Sequence, residues 1–188
     1  MHVLLLKDRV FFCADTMVNI EPTAEELAEI ACLAADTARY FDIEPRVALL
    51  AFSSFGSVRH PIAERVARAV SIVQARRPDL IVDGEMHLET ALVEEIAREL
   101  YPHSRIKGDA NVLVFPDLTS GNIGYQLARR VGRAEVIGPI LMGLRRPVNV
   151  LAHATSAVEV VNVAAITAVA VERAHGAPAA AQQASQVR

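Results

Sequence analysis

Four polar segments of the sequence carry residue types that could bind or transform a ligand. The first is the loop 53–57, whose polar or flexible residues are Ser53, Ser54, Gly56 and Ser57. It separates an apolar run from the start of a helical pattern. Backbone N–H groups at a helix start attract anions, and a glycine lets a ligand approach the main chain. The loop lacks the lysine of a Walker loop. It is therefore either an anion-binding loop or a polar turn.

The second segment is 83–87, which places the carboxylates of Asp83 and Glu85 beside the imidazole of His87. Such a cluster could serve acid–base chemistry or bind a metal ion. The chain offers no second histidine-rich segment to complete a metal site, so no metal is assigned. The alternative interpretation is a turn whose carboxylates cap the next helix, because Asp and Gly are common in turns.

The third segment is 115–122, where an apolar run stops at a proline and a polar, glycine-containing loop leads into a helical pattern. Its candidate residues are Asp117, Thr119 and Asn122. Asp117 or Thr119 could cap the helix, and either could instead face a ligand.

The fourth segment is 138–147, which contains two glycines, two prolines and the adjacent pair Arg145 and Arg146. A guanidinium group is suited to planar recognition of phosphate. The alternative is a solvated turn.

Alternating strand and helix patterns predict the elements that position these segments. A capping box at Thr23 and Glu26 predicts the start of the first helix. The other helices are predicted over residues 61–76, 89–100, 121–131 and 156–172. Strands are predicted over residues 3–6, 10–13, 47–52, 80–82, 111–115, 135–141 and 148–151. This alternation predicts an α/β fold with a mostly parallel sheet, which binds ligands at the carboxyl ends of its strands.

Composition disfavours several classes of protein. Hydrophobic residues make up 52% of the 188 residues and aromatic residues only 5%, which predicts a core of Ala, Val, Ile and Leu. The net charge of −3 and the lack of a basic tract disfavour nucleic-acid binding. Cys13 and Cys32 are too few for a disulfide framework and indicate a reducing compartment. The apolar stretch 163–171 is too short to span a membrane. The Ala/Gln/Ser-rich tail 175–188 is predicted to be disordered.

Taken in order, these segments resemble the phosphate acetyltransferase family over residues 4–172. The matching stretches are Ala14-Asp15-Thr16, 22–27, 47–57, Asp83-Gly84-Glu85, 110–118, 121–123 and 138–141. The resemblance implies a three-layer α/β/α architecture similar to isocitrate and isopropylmalate dehydrogenases, with CoA bound in a cleft between two domains. Residues 1–147 would form the second, dimerising domain. Residues 148–174 would return to a first domain that this chain lacks.

The sequence departs from the family pattern at residues 152–154. Active members resemble this stretch but carry Ser-Arg-Gly there, with an aspartate several residues later. The matching positions here are Ala152, His153 and Glu159. Alanine cannot donate a side-chain hydrogen bond, and a mostly neutral histidine does not replace an arginine fork. Losing one such contact raises a transition state by about 3 kcal/mol. The resemblance therefore implies a degenerate catalytic centre.

The amino-acid sequences of loops 52–57 and 83–87 are similar to those of the domain appended to bacterial NADP-dependent malic enzymes. That likeness implies a cytoplasmic regulatory and oligomerisation domain that senses acetyl-CoA. NADP and a divalent metal would belong only to an upstream malic domain. The implied ligand-binding residues are Ser53, Ser54, Gly56, Ser57, Asp117, Thr119, Asn122, Arg145 and His153. Two alternatives stay open: an active phosphate acetyl- or butyryltransferase, and a structural dimerisation domain that docks through its last helix.

Overall fold

A six-stranded mixed sheet forms the centre of the protein. The computed structural model describes residues 1–151 and 155–176, with the backbone alone for 173–176. The strands are β1 (His2–Leu6), β2 (Arg9–Ala14), β3 (Arg46–Leu50), β4 (Ile81–Met86), β5 (Val112–Val114) and β6 (Glu135–Ile137). Their order is β4-β3-β5-β2-β1-β6. The first four in this order are mutually parallel, whereas β1 runs antiparallel to β2 and β6. The predicted α/β fold with a mostly parallel sheet is confirmed.

Helices cover both faces of the sheet. They are α1 (Ala24–Tyr40), α2 (Pro61–Arg76), α3 (Leu88–Leu92), α4 (Glu94–Leu100), α5 (Leu118–Arg130) and α6 (Ala157–Gly176). Alternate strand residues point to opposite faces. Val47 and Leu49 therefore join the core beneath α1 and α2, while Ala48 and Leu50 join the core beneath α3 and α5. The result is a three-layer α/β/α arrangement.

The predicted capping box forms at the start of α1. The Thr23 hydroxyl accepts a hydrogen bond from Glu26 N at 3.2 Å, and the Glu26 carboxylate accepts one from Thr23 N at 2.8 Å. The buried side of α1 is rich in alanine, including Ala28, Ala31 and Ala35. These small side chains let α1 and α2 pack closely on the sheet.

The structure corrects three of the predicted elements. Residues 83–85 are not a turn but part of β4, because their carboxylates are buried and hydrogen-bonded. Residues 148–151 form no strand, since the Asn149 side chain binds Leu141 N at 2.9 Å and the Thr167 hydroxyl at 2.7 Å and holds this segment as a loop. The helix predicted over 89–100 is divided at Val93 into α3 and α4.

Three predicted boundaries also shift. The helix predicted from residue 121 starts at Leu118, because Asp117 caps it three residues earlier. The strand predicted over 135–141 ends at Ile137, before the Gly138-Pro139 pair. Of the predicted tail 175–188, residues 177–188 lie outside the described part of the chain, while 175 and 176 end α6.

Candidate functional site

The carboxyl ends of the parallel strands bring the polar loops to one edge of the sheet. In sheet order, β4 leads to His87, β3 to the loop 51–60, β5 to the loop 115–117, and β2 to the loop 15–23. The first residues of β1 lie at the same edge, because β1 runs antiparallel to β2. Loops that follow β3 and β5 are neighbours, since these strands pair directly. We call this the carboxyl edge.

Glu85 organises the serine loop 53–57. Its side-chain Oε1 accepts hydrogen bonds from the Ser53 hydroxyl and from Gly56 N, both at 2.7 Å. Its backbone carbonyl accepts one from Phe55 N at 2.9 Å. Glu85 is only 2% exposed, so its buried carboxylate fixes the conformation of the loop through these hydrogen bonds. A carboxylate that accepts several hydrogen bonds makes stronger bonds than a neutral acceptor does.

The serine hydroxyls accept hydrogen bonds from backbone N–H groups just after the loop and just after β4. The Ser53 hydroxyl accepts a hydrogen bond from Val58 N at 3.1 Å, and the Ser54 hydroxyl accepts one from His87 N at 2.9 Å. Ser53 and Ser54 are both buried. Gly56 and Ser57 are exposed, and Gly56 adopts a φ of 80°, which favours glycine. Of the predicted serine-loop residues, these two are therefore accessible to a ligand.

The loop 115–117 delivers the start of α5 to the same edge. The Asp117 carboxylate accepts a hydrogen bond from Ser120 N at 2.8 Å, so it serves as the helix cap. Thr119 is exposed in the first turn. The Asn122 amide donates to the Thr16 carbonyl at 3.3 Å, which ties α5 to the loop after β2.

Asp15 is a further residue of this edge that sequence reasoning did not select as a site residue. Its carboxylate accepts hydrogen bonds from Met17 N at 2.8 Å, and from the backbone N and side-chain amide of Asn19 at 2.7 Å each. Burial alone would raise the pKa of Asp15, but these hydrogen bonds outweigh it and lower the pKa. The signal in the sequence is an aspartate two residues after the strand predicted over residues 10–13, which ends at the carboxyl edge.

His2 is buried at the same edge. Its ring stacks on Tyr125 with centroids 4.1 Å apart, and Nδ1 lies 2.9 Å from the Thr16 hydroxyl. Burial lowers the pKa of His2 to about 4, and the positive charges of the chain's amino terminus and Arg129 add to the shift. The neutral imidazole is therefore the form that the folded protein contains near neutral pH.

This buried histidine predicts an acid-sensitive stability. A folded-state pKa below the unfolded value of about 6.5 gives stability that is complete above that value and is lost as the pH falls through about 4. We expect the free energy of unfolding to fall by about 2.5 kcal/mol between about pH 7 and about pH 4.5. Urea unfolding across this range measures it. His2→Gln should flatten the profile, whereas His103→Gln, at an exposed histidine, should not.

Arg145, another predicted ligand-binding residue, does not join the serine loop. Arg145 lines a groove with Tyr40 and Phe41, at the end of α1. Helix α1 begins just after the carboxyl end of β2 and ends before the start of β3, so this groove lies toward the opposite edge of the sheet. Gly143, which adopts a φ of 75°, lines the same groove two residues before Arg145.

Glu159, one of the positions at which the sequence departs from the family pattern, lies in the first turn of α6. Glu159 pairs with Arg129 at 2.7 Å. Hydrogen bonds from the backbone and side chain of Ser156, followed by the charge of Arg129, lower the pKa of Glu159. Ala152 and His153 lie outside the described residues.

Exposed apolar side chains border the polar loops of the carboxyl edge. They are Met17, Val18, Ile20, Phe52 and Val58, with exposed fractions of 43 to 70%. We call these five residues the apolar rim. Exposed apolar side chains that lie close together are typical of surfaces that bind a ligand or another protein.

The part of the chain that the structure describes contains neither a metal-binding cluster nor a membrane-spanning helix. Residues 1–151 and 155–176 contain no group of three or more side chains placed to hold a metal ion. No helix within them is long and apolar enough to cross a membrane.

The fold and the loops define a class of protein: an α/β domain whose carboxyl edge combines a serine–glycine loop, a capped helix start and an apolar rim. The sequence profile of the phosphate acetyl/butaryl transferase family matches residues 1–168. The chain belongs to this family.

Similar proteins and structures agree with the family. The chain is 51% identical to a phosphate acetyltransferase of Bacillus subtilis over 82% of its own length and 48% of that protein. It is 47% identical to an NADP-dependent malic enzyme of Escherichia coli over 90% of its length and 22% of that enzyme. Its structure superposes on a phosphotransacetylase from Streptococcus pyogenes with a TM-score of 0.87 at 44% identity, covering 94% of this chain and 54% of the other.

The chain spans about half the length of the Bacillus subtilis phosphate acetyltransferase and about a fifth of the malic enzyme. The chain is similar to both kinds of relative, with identities of 51% and 47%.

Proposed function

We propose that the chain is a regulatory and oligomerising domain of the phosphate acetyltransferase type, which binds acetyl-CoA without transferring its acetyl group. The observation that carries the proposal is the contrast between two parts of the chain. The serine loop is fully assembled around Glu85. The stretch that resembles the family's Ser-Arg-Gly reads Ala152-His153-Ala154.

The carboxyl edge supplies the groups that such a ligand needs. Gly56 and Ser57 are exposed beside the start of α5, where Thr119 offers a hydroxyl. Helix starts favour negative charge, which suits the phosphates of CoA. The apolar rim offers a surface for the uncharged arm and the acyl group. Binding of acetyl-CoA to the carboxyl edge and the apolar rim would use no group from the segment 152–154.

The side chains at the degenerate positions argue against turnover. Ala152 has no donor, and Glu159 is engaged by Ser156 and Arg129. His153 lacks the permanent charge of an arginine. Preorganised charge is usually the largest part of catalysis of this kind. The domain would therefore keep affinity for the ligand and lose the stabilisation of the transition state.

A regulatory role places the domain in a larger protein. The 47% identity to a malic enzyme supports an upstream malic domain, to which NADP and its metal would belong. Acetyl-CoA would act in the cytoplasm by binding one assembly state more tightly than another, since equal affinity for both states shifts nothing. Homodimers or larger homo-oligomers are the assemblies we propose.

Calorimetric titration of the chain with acetyl-CoA tests this proposal, together with its mass in solution. We expect a dissociation constant of order micromolar, about −8 kcal/mol, and a dimer. No acetyl phosphate should form from acetyl-CoA and phosphate. A stable dimer without any binding would refute the sensing role and indicate a structural dimerisation domain.

A second candidate is an active phosphate acetyl- or butyryltransferase, which the 51% identity to the Bacillus subtilis enzyme favours. It requires His153 to replace the arginine and another part of the protein to complete the cleft. Formation of acetyl phosphate that is abolished by His153→Ala, in the full-length protein, would establish this candidate and overturn the first.

A further inference from the structure

Arg65 extends from α2 to the carboxyl edge of the sheet. Its Nη2 donates a hydrogen bond to the carbonyl of Pro116 at 3.1 Å. Pro116 follows β5 and directly precedes Asp117, the cap of α5. The guanidinium group therefore lies where the loop after β5 leads into α5. The serine loop follows the neighbouring strand β3.

Arg65 lacks the acidic partner that the other arginines of α2 have. One turn later, Arg68 pairs with Glu25, and Arg76 approaches Glu29 at 3.9 Å. Within the described residues, Arg65 forms no ion pair, and its Nε is buried without any hydrogen-bond partner. Its guanidinium group thus binds one neutral carbonyl oxygen and pairs with no carboxylate of the described residues.

A half-buried, unpaired cation is unfavourable in a folded protein. Buried polar atoms are nearly always hydrogen-bonded, and a buried charge without a counter-charge loses hydration that nothing replaces. Residues that reduce stability in this way are typical of binding sites, where the ligand supplies the missing partner. The planar fork of arginine fits the oxygens of a phosphate group.

We propose that Arg65 binds a phosphate group of the ligand that the carboxyl edge takes up. This inference rests on the proposed function and adds to it a residue and the chemical group it recognises. The guanidinium N–H groups of Nη1 and Nη2 that do not bind Pro116 would donate to the phosphate oxygens. Two sources share this chemistry, the phosphates of CoA and inorganic phosphate.

The test compares Arg65→Gln with Arg68→Gln, a change one helical turn away in an exposed ion pair. Dissociation constants are measured by calorimetry for acetyl-CoA, for S-acetylpantetheine, which carries no phosphate, and for inorganic phosphate. We expect Arg65→Gln to weaken binding of the phosphate-bearing probe by about 10- to 100-fold, because a charged hydrogen-bonded contact is lost. Arg68→Gln should bind as the unaltered chain does.

The three probes separate the sources of the phosphate. A loss confined to acetyl-CoA, with S-acetylpantetheine unaffected, assigns Arg65 to a phosphate of CoA. A loss for inorganic phosphate assigns it to the phosphate substrate of the family. If Arg65→Gln binds every probe as tightly as the unaltered chain, the inference is wrong, although the proposed function stands. If the unaltered chain binds none of them, both fail.

Stability without ligand is an independent readout. Arg65→Met removes the unpaired charge and keeps much of the apolar side chain. We expect its thermal midpoint, in buffer free of phosphate, to equal or exceed that of the unaltered chain. A clear decrease would indicate that Arg65 supports the loop at Pro116 rather than a ligand, and would overturn the inference.

Discussion

Glu85→Gln is expected to lower the free energy of unfolding by about 2–3 kcal/mol and to weaken acetyl-CoA binding at least about tenfold. The carboxylate accepts two hydrogen bonds of 2.7 Å, from the Ser53 hydroxyl and Gly56 N, inside a buried site. Bonds to an ionised acceptor are roughly twice as strong as bonds to a neutral one. The amide that replaces it also brings two buried donors that need partners. Urea unfolding and calorimetric titration measure the two effects.

Glu89→Gln is the matched control for this change. Glu89 lies four residues later, on α3, with an exposed side chain. Its substitution should alter stability by less than about 0.5 kcal/mol, as is usual on a surface. Equal stability of the Glu85 and Glu89 variants would contradict the view that Glu85 holds the serine loop together.

Gly121→Ala is expected to lower the free energy of unfolding by about 3 kcal/mol, the upper end of the range for overpacking. A Cβ at Gly121 would lie 2.1 Å from the carbonyl oxygen of Asp15. That atom belongs to the backbone, so either α5 or the loop after β2 must move. The same movement would shift Thr119 and Asn122 relative to the serine loop and weaken ligand binding. Thermal and urea unfolding give the stability.

Gly124→Ala provides the comparison on the same helix. Its Cβ would lie 3.0 Å from a ring carbon of Phe115, a side chain that can rotate aside. Alanine also favours the helix over glycine by about 1 kcal/mol, which offsets the crowding. The stability should remain within about 1 kcal/mol of the unaltered chain. If both glycine variants lose the same stability, close approach to Asp15 is not the reason for Gly121.

Local patterns allowed much of the fold to be predicted. The capping box at Thr23 and Glu26 depends on residues three apart, so it could be recognised in the sequence and is present in the structure. The alternation of short apolar runs with helical patterns is also local in the sequence, so the parallel part of the sheet could be predicted from it. The prediction of a strand over residues 148–151 was wrong, because the Asn149 side chain accepts a hydrogen bond from Leu141 N and holds this segment as a loop.

The candidate site could be predicted only in part, because polar residues look alike in a sequence whatever they contact. The sequence left two roles for Asp117, capping α5 or binding a ligand. The hydrogen bond that its carboxylate accepts from Ser120 N shows that it caps the helix. Ser53 and Ser54 were expected to face a ligand, yet both are buried and their hydroxyls accept hydrogen bonds from Val58 N and His87 N. Exposure of Gly56 and Ser57 could not be inferred from spacing.

The sequence by itself determined the family, most of the order of strands and helices along the chain, and the residues Ala-His-Ala at 152–154. These depend on residue types and on separations along the chain. Only the tertiary structure decided that Glu85 winds the serine loop, that Arg145 lies away from it, and that Arg65 reaches the carboxyl edge unpaired. Those facts depend on distances between residues far apart in sequence, which are set when the helices pack on the sheet.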